Sequence, residues 1–122
     1  MANFEGVTTC NDVKIIEGKE TEVAELIEKY TFNGEMNVYV DKSGYFQLHG
    51  HEFLYIAKNE SDDPTEHTDI DGVQEFLTEL APFLADTLVI QSIGNEKCRY
   101  PLVAQEIVVY PSGLIQYGGF QF

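Results

Sequence analysis

Two histidines one residue apart, His49 and His51 in "VDKSGYFQLHGHEF" (residues 40–53), have the spacing that sets both imidazoles on one side of a β-strand. The chemistry this suggests is a divalent metal held by the pair, with Glu52, His67 or the acids after it as further ligands. A protein zinc site needs three or four converging ligands and the sequence places only two, so the competing reading is the polar tip of a hairpin.

His67 lies in "NESDDPTEHTDIDG" (residues 59–72), which holds six acids. Its DIDG resembles part of a calcium-binding loop. With Asp69, Asp71 and Gly72 at the third, fifth and sixth loop positions, however, the first falls on His67 and the twelfth on Thr78, and both ends of the pattern fail. The stretch is expected to be a solvated acidic loop that ends in a helix cap.

Nucleophilic chemistry has no support. Cys10 and Cys98 have no motif context and are expected to be free thiols, with a single disulfide as the lesser alternative. Ser43 and Ser112 sit in Ser-Gly turns, and the chain has no G-x-S-x-G, phosphate loop or G-x-G-x-x-G. The expectation is a protein that is not an enzyme and needs no cofactor.

Charge is the strongest global feature. Twenty-one acids against seven bases give a net charge of −14, outside the range of roughly 2 to 8 units usual for a small domain. All of the excess falls in residues 1–86, and residues 87–122 are neutral overall. Direct binding to nucleic acid is disfavoured, because such a surface repels phosphates. The inverse is attractive: carboxylates can stand where phosphates would, in the basic groove of a nucleic-acid-binding protein. The candidate partner-binding residues are Glu22, Glu25 and Glu28, about 4.5 Å apart along a helix axis, extended by Glu60, Asp62, Asp63, Glu66, Asp69, Asp71, Glu75 and Glu79. Two blander readings compete, namely that the acids only keep the protein soluble or that they reflect adaptation to high salt. Six lysines to one arginine and eighteen Leu and Ile residues fit the second poorly.

The elements that must carry these residues follow from hydrophobic period. In "KETEVAELIEKY" (residues 19–30), Val23, Leu26, Ile27 and Tyr30 form one helical stripe, with Glu22, Glu25 and Glu28 outside it and Glu25 spaced to pair with Lys29. A second helix spans "DIDGVQEFLTELAPFLA" (residues 69–85) on Val73, Phe76, Leu77, Leu80 and Leu84, with Asp71 as cap and Pro82 kinking or restarting it near its end. Six strands are expected over residues 36–40, 45–49, 52–57, 87–93, 103–110 and 114–120. The order is helix and three strands, twice.

That order invites a search for repeats. "VDKSGYFQLHGHEF" and "VYPSGLIQYGGFQF" (residues 109–122) agree at six of fourteen positions, including Ser43 with Ser112, Gly44 with Gly113 and Gln47 with Gln116. Either residues 19–58 and 70–122 derive from a duplicated α-β-β unit, or two hairpins share turn chemistry.

The composition, 43% hydrophobic with eight Phe and seven Tyr, is that of one folded domain over residues 1–122. The fold class expected is α+β: two amphipathic helices on one face of an antiparallel sheet of about six strands. No signal peptide or membrane span is apparent, which predicts a cytoplasmic protein. The C-terminal third is expected to supply central strands or a dimer edge. The functional expectation is a small acidic inhibitor that blocks a basic protein partner, of the immunity or counter-defence type. The alternative is a metal- or small-ligand-binding domain around His49, His51 and His67.

Overall fold

The computed structural model describes residues 4–32, 36–51, 56–58, 70–96 and 103–121. Over these residues it is an α+β fold built on an open, wholly antiparallel seven-stranded sheet, with two α-helices and a separate two-stranded ladder. The strands are β1 (Phe4–Cys10), β2 (Val13–Lys14), β3 (Tyr30–Phe32), β4 (Met36–Val40), β5 (Tyr45–Gly50), β6 (Ile56–Lys58), β7 (Leu88–Glu96), β8 (Val103–Val109) and β9 (Ile115–Gln121). The helices are α1 (Glu20–Glu28) and α2 (Ile70–Leu80). Across the main sheet the order runs β4, β5, then β1 with β2, then β7, β8 and β9, while β3 pairs with β6.

Strand alternation sets one face of this sheet against the helices. Phe46 and Leu48 of β5, Leu88 and Ile90 of β7, and Ile107 and Val109 of β8 are fully buried or nearly so, and they share one cluster with Val23 and Leu26 of α1 and Val73, Phe76, Leu77 and Leu80 of α2. Phe76 is its aromatic centre, meeting Tyr30 and Phe32 edge-on with centroids 5.4 and 5.3 Å away. At the far end of the same face the apolar lining gives way to Thr8 and Ser92, buried and hydrogen-bonded hydroxyl to hydroxyl at 2.7 Å.

The expected strands at 36–40, 45–49, 87–93, 103–110 and 114–120 are present within one to three residues at their ends. The strand expected at 52–57 is described only as Ile56–Lys58, and it belongs to the two-stranded ladder. β1, β2 and β3 are additions, so "helix and three strands, twice" is corrected to an order that begins with two strands and gives the sheet seven. β1 escapes pattern reading because its polarity is inverted. Val7 faces outward and is half exposed, opposite the equally exposed Ile93, while Thr8 faces in.

Helix boundaries shift for local reasons. α1 begins after Gly18, which holds φ +88, and its first turn carries Glu20 and Glu22, where the helix dipole favours acids. It ends at Glu28 rather than at residue 30, because Tyr30 enters the core as the first residue of β3. α2 begins at Ile70, which moves Asp71 from the expected cap into the first turn. Pro82 does end the α-helix: without an N–H it cannot continue the ladder, and Ala81–Phe83 tightens into a 3-10 turn.

Between β1 and β2 the chain changes partners. Asn11 stands in for a strand residue: Val89 donates its N–H to Asn11 Oδ1 (2.7 Å), Asn11 donates its own N–H to the Val89 carbonyl (3.1 Å), and its Nδ2 donates to Thr87 (3.1 Å). β2 then leaves β7 and follows β5, with Val13 opposite Phe46. Immediately after it, Ile16 and Ala85 N–H groups bond the Phe83 and Lys14 carbonyls, tying the exit of α2 to the sheet.

Candidate functional site

The candidate acids divide by position. Glu22, Glu25 and Glu28 are exposed on α1, because Val23 and Leu26 take its buried side. Lys19 bonds Glu22 at 3.2 Å across one helical turn. The expected Glu25–Lys29 pair is replaced. Lys29 lies just past the helix end and reaches Glu79 on α2 at 2.9 Å, with its ammonium also 5.8 Å from the Tyr30 ring centroid.

Glu79 therefore works on two sides. One carboxylate oxygen takes the Lys29 ammonium and the other accepts the Tyr30 hydroxyl. Burial and this carboxylate, with Glu75 nearby, push the Tyr30 phenol well above its ordinary value, so it stays a donor at any physiological pH. Lys29, Gln74, Glu75, Thr78 and Glu79 line a shallow groove here. The structure thus brings Glu75 and Glu79 of α2 to the C-terminal end of α1, while Glu22 stands at its opposite end.

Glu52, Glu60, Asp62, Asp63, Glu66, His67, Asp69 and Cys98 lie outside the described residues, and the calcium-like stretch is described only from Ile70 onward, where it is the start of α2. Asp71 is placed by its backbone in the first turn of α2.

His49 and His51 do not share a strand face, since β5 ends at Gly50 and His51 follows it in a bend. His49 Nε2 is 3.4 Å from the Tyr39 hydroxyl, and the two rings meet edge-on at 5.9 Å. Among the described residues no group of three or more His, Cys, Asp or Glu is arranged to hold a metal. Cys10 is a free thiol, half-buried beside the Phe46 carbonyl, and burial raises its pKa.

A second groove was not foreseen from the sequence. Between α1 and the edge strand β4, Ala24, Ile27 and Val40 form an apolar floor and Glu20, Glu28 and Asp41 an acidic rim. Asp41 is fixed by its turn. Its carboxylate accepts the N–H groups of Ser43 (2.9 Å) and Tyr45 (3.0 Å) and the amide of Gln47 (3.1 Å), and the Tyr45 bond leads the causes that hold its pKa below the usual aspartate range. The sequence signal was available in the D-x-S-G turn, where Asp bonds backbone two residues on. Its closeness to α1 was not, because that depends on where the hairpin docks.

No helix among the described residues is long and apolar enough to cross a membrane. Comparison with protein-family models, curated proteins and solved structures finds no match to this chain.

Proposed function

We propose that this protein is a small acidic inhibitor that occupies the basic, nucleic-acid-binding surface of a partner protein, as immunity and counter-defence proteins do. It acts by covering a surface rather than by catalysis, works in the cytoplasm and needs no cofactor. Copies also associate with one another through the C-terminal strands.

The observation that supports this reading is the confinement of a −14 charge to residues 1–86, with Glu22, Glu25 and Glu28 exposed along one helix. Carboxylates set in a row on a helix speed encounter with a basic surface. The groove beside β4 adds apolar contact next to three of the acids, and contact of that kind lets an acidic surface do more than attract counterions.

The test is capture of partners from host lysate on the immobilised full chain, at about 0.05 M and about 0.5 M salt. A basic protein retained at low salt and released at high salt is the expected result. With that partner purified, a triple Glu22→Lys, Glu25→Lys, Glu28→Lys variant should bind at least about tenfold more weakly. Affinity unmoved by either salt or charge reversal overturns the proposal.

A further inference from the structure

We infer that β9 is a docking edge for a second copy of this chain, the two β9 strands pairing antiparallel about a two-fold axis near Gly118 and joining two seven-stranded sheets into one. This deepens the self-association in the reading above and rests on it, but it is independent of the basic partner.

Among the described residues the β9 edge is open. β9 closes one end of the sheet and, among the described residues, pairs only with β8. The bond from Tyr110 N–H to the Leu114 carbonyl sets the alternation along this hairpin. Counting by twos, Gln116 and Gly118 bond inward to β8, and the backbone groups of Ile115, Tyr117 and Gly119 point away from it.

Among the described residues this edge also lacks charge and proline, two of the protections that sheet edges normally have. Proteins guard such strands with charges, proline, bulges or a covering element. Residues 107–122 contain no charged side chain, in a chain that is 23% charged, and β9 contains no proline. The opposite edge differs: α1 stands beside β4 with Glu20, Glu28 and Asp41 around the groove.

Charge then selects the occupant. Two copies at −14 each repel wherever their acidic parts approach, and pairing through β9 sets the β4 ends, with α1 beside them, at opposite extremes of the joined sheet. A two-fold pairing is also self-complementary, because each outward donor on one strand meets an outward acceptor on its twin. With the axis near Gly118, Tyr117 of each copy falls opposite Gly119 of the other. A tyrosine that is 44% exposed then covers a stretch of strand with no side chain, the cross-strand arrangement by which aromatics compensate for glycine in sheets.

The experiment is sedimentation equilibrium of the full chain from micromolar to about 0.5 mM, at about 0.05 M and about 0.5 M salt. The expected species is a dimer that tightens as salt rises, because salt screens the like-charge repulsion; binding to a basic partner moves the other way. Tyr117→Lys should weaken the dimer at least about tenfold, and Tyr117→Phe and the charge-reversed α1 variant should retain it. Thermal melts of each variant at dilution, where the chain is monomeric, separate loss of pairing from loss of fold. A wild-type chain that stays monomeric at both salts overturns the self-association and the β9 edge together. A dimer that Tyr117→Lys leaves intact overturns the edge alone, and neither result touches the basic-partner reading.

Discussion

In the β4–β5 hairpin Gly44 donates its N–H to the Asp41 carbonyl (3.0 Å) and Asp41 donates to Tyr45 (2.9 Å); in the β8–β9 hairpin Gly113 and Tyr110 do the same to Tyr110 and Leu114, both at 2.9 Å. Gly44 and Gly113 both sit at positive φ, +87 and +100, as a three-residue hairpin loop requires of its last residue. Even the glutamines correspond, Gln47 bonding Asp41 and Gln116 bonding Tyr110 (3.0 Å). The hairpins part company in the sheet. The second strand of the first, β5, lies inside, whereas the second strand of the last, β9, is the edge. Turn chemistry is thus a local property that two distant segments share, while burial and charge are assigned by the neighbours each hairpin meets.

The largest contrast should appear in the core. Leu48→Ala, at a fully buried site in β5, should cost about 2–5 kcal/mol in urea unfolding, and Ile115→Ala, half-buried in β9, closer to about 1. Equal costs would mean that the β9 hairpin is as deeply packed as the first. Gly44→Ala and Gly113→Ala come next. Each forces a side chain into the left-handed region and should lose about 1–2 kcal/mol, and since a methyl group at either position meets nothing closer than 3.6 Å, the two losses should match. A marked difference between them breaks the equivalence of the turns.

The third contrast is pH. Asp41 is charged in one turn where the other has Tyr110, and its lowered pKa adds stability that is complete above the usual aspartate range and lost as pH falls through the lowered value. Asp41→Asn should therefore have a lower urea midpoint than wild type at neutral pH, and the gap should close below about pH 4. A gap that persists in acid assigns the effect to geometry rather than charge. The smallest effect is expected of Tyr110→Phe, which removes one exposed bond to Gln116 and should shift stability by no more than about 0.5 kcal/mol.

Much of this architecture was legible in the sequence, and the exceptions have physical reasons. α1 and α2 showed themselves by stripe, and β4, β5, β7, β8 and β9 by alternation and punctuation. β1 was hidden because its buried Thr8 answers Ser92 on the neighbouring strand and its valine faces out. The start of β3 was masked because Tyr30 suits the apolar stripe of α1 as well as it suits a core-facing strand position. At the candidate site, the exposure of Glu22, Glu25 and Glu28 followed from the stripe they avoid. The partner of Lys29 did not, since Glu79 is fifty residues away in sequence and reaches it only through helix packing.

The position of β1 also sets an order of events. Among the described residues, the first strand of the chain is the only link between β5 and β7, and its partner residues Ile90–Glu96 come eighty or more positions later. The two turned hairpins can close early, because their contacts are local. The seam between the halves cannot form until the chain has been made almost to its last two strands, and closing so long a loop slows folding. During synthesis the open flank of β1 is therefore the surface that waits longest for cover, and it is where a nascent chain of this protein is most exposed to capture by a chaperone or by another copy of itself.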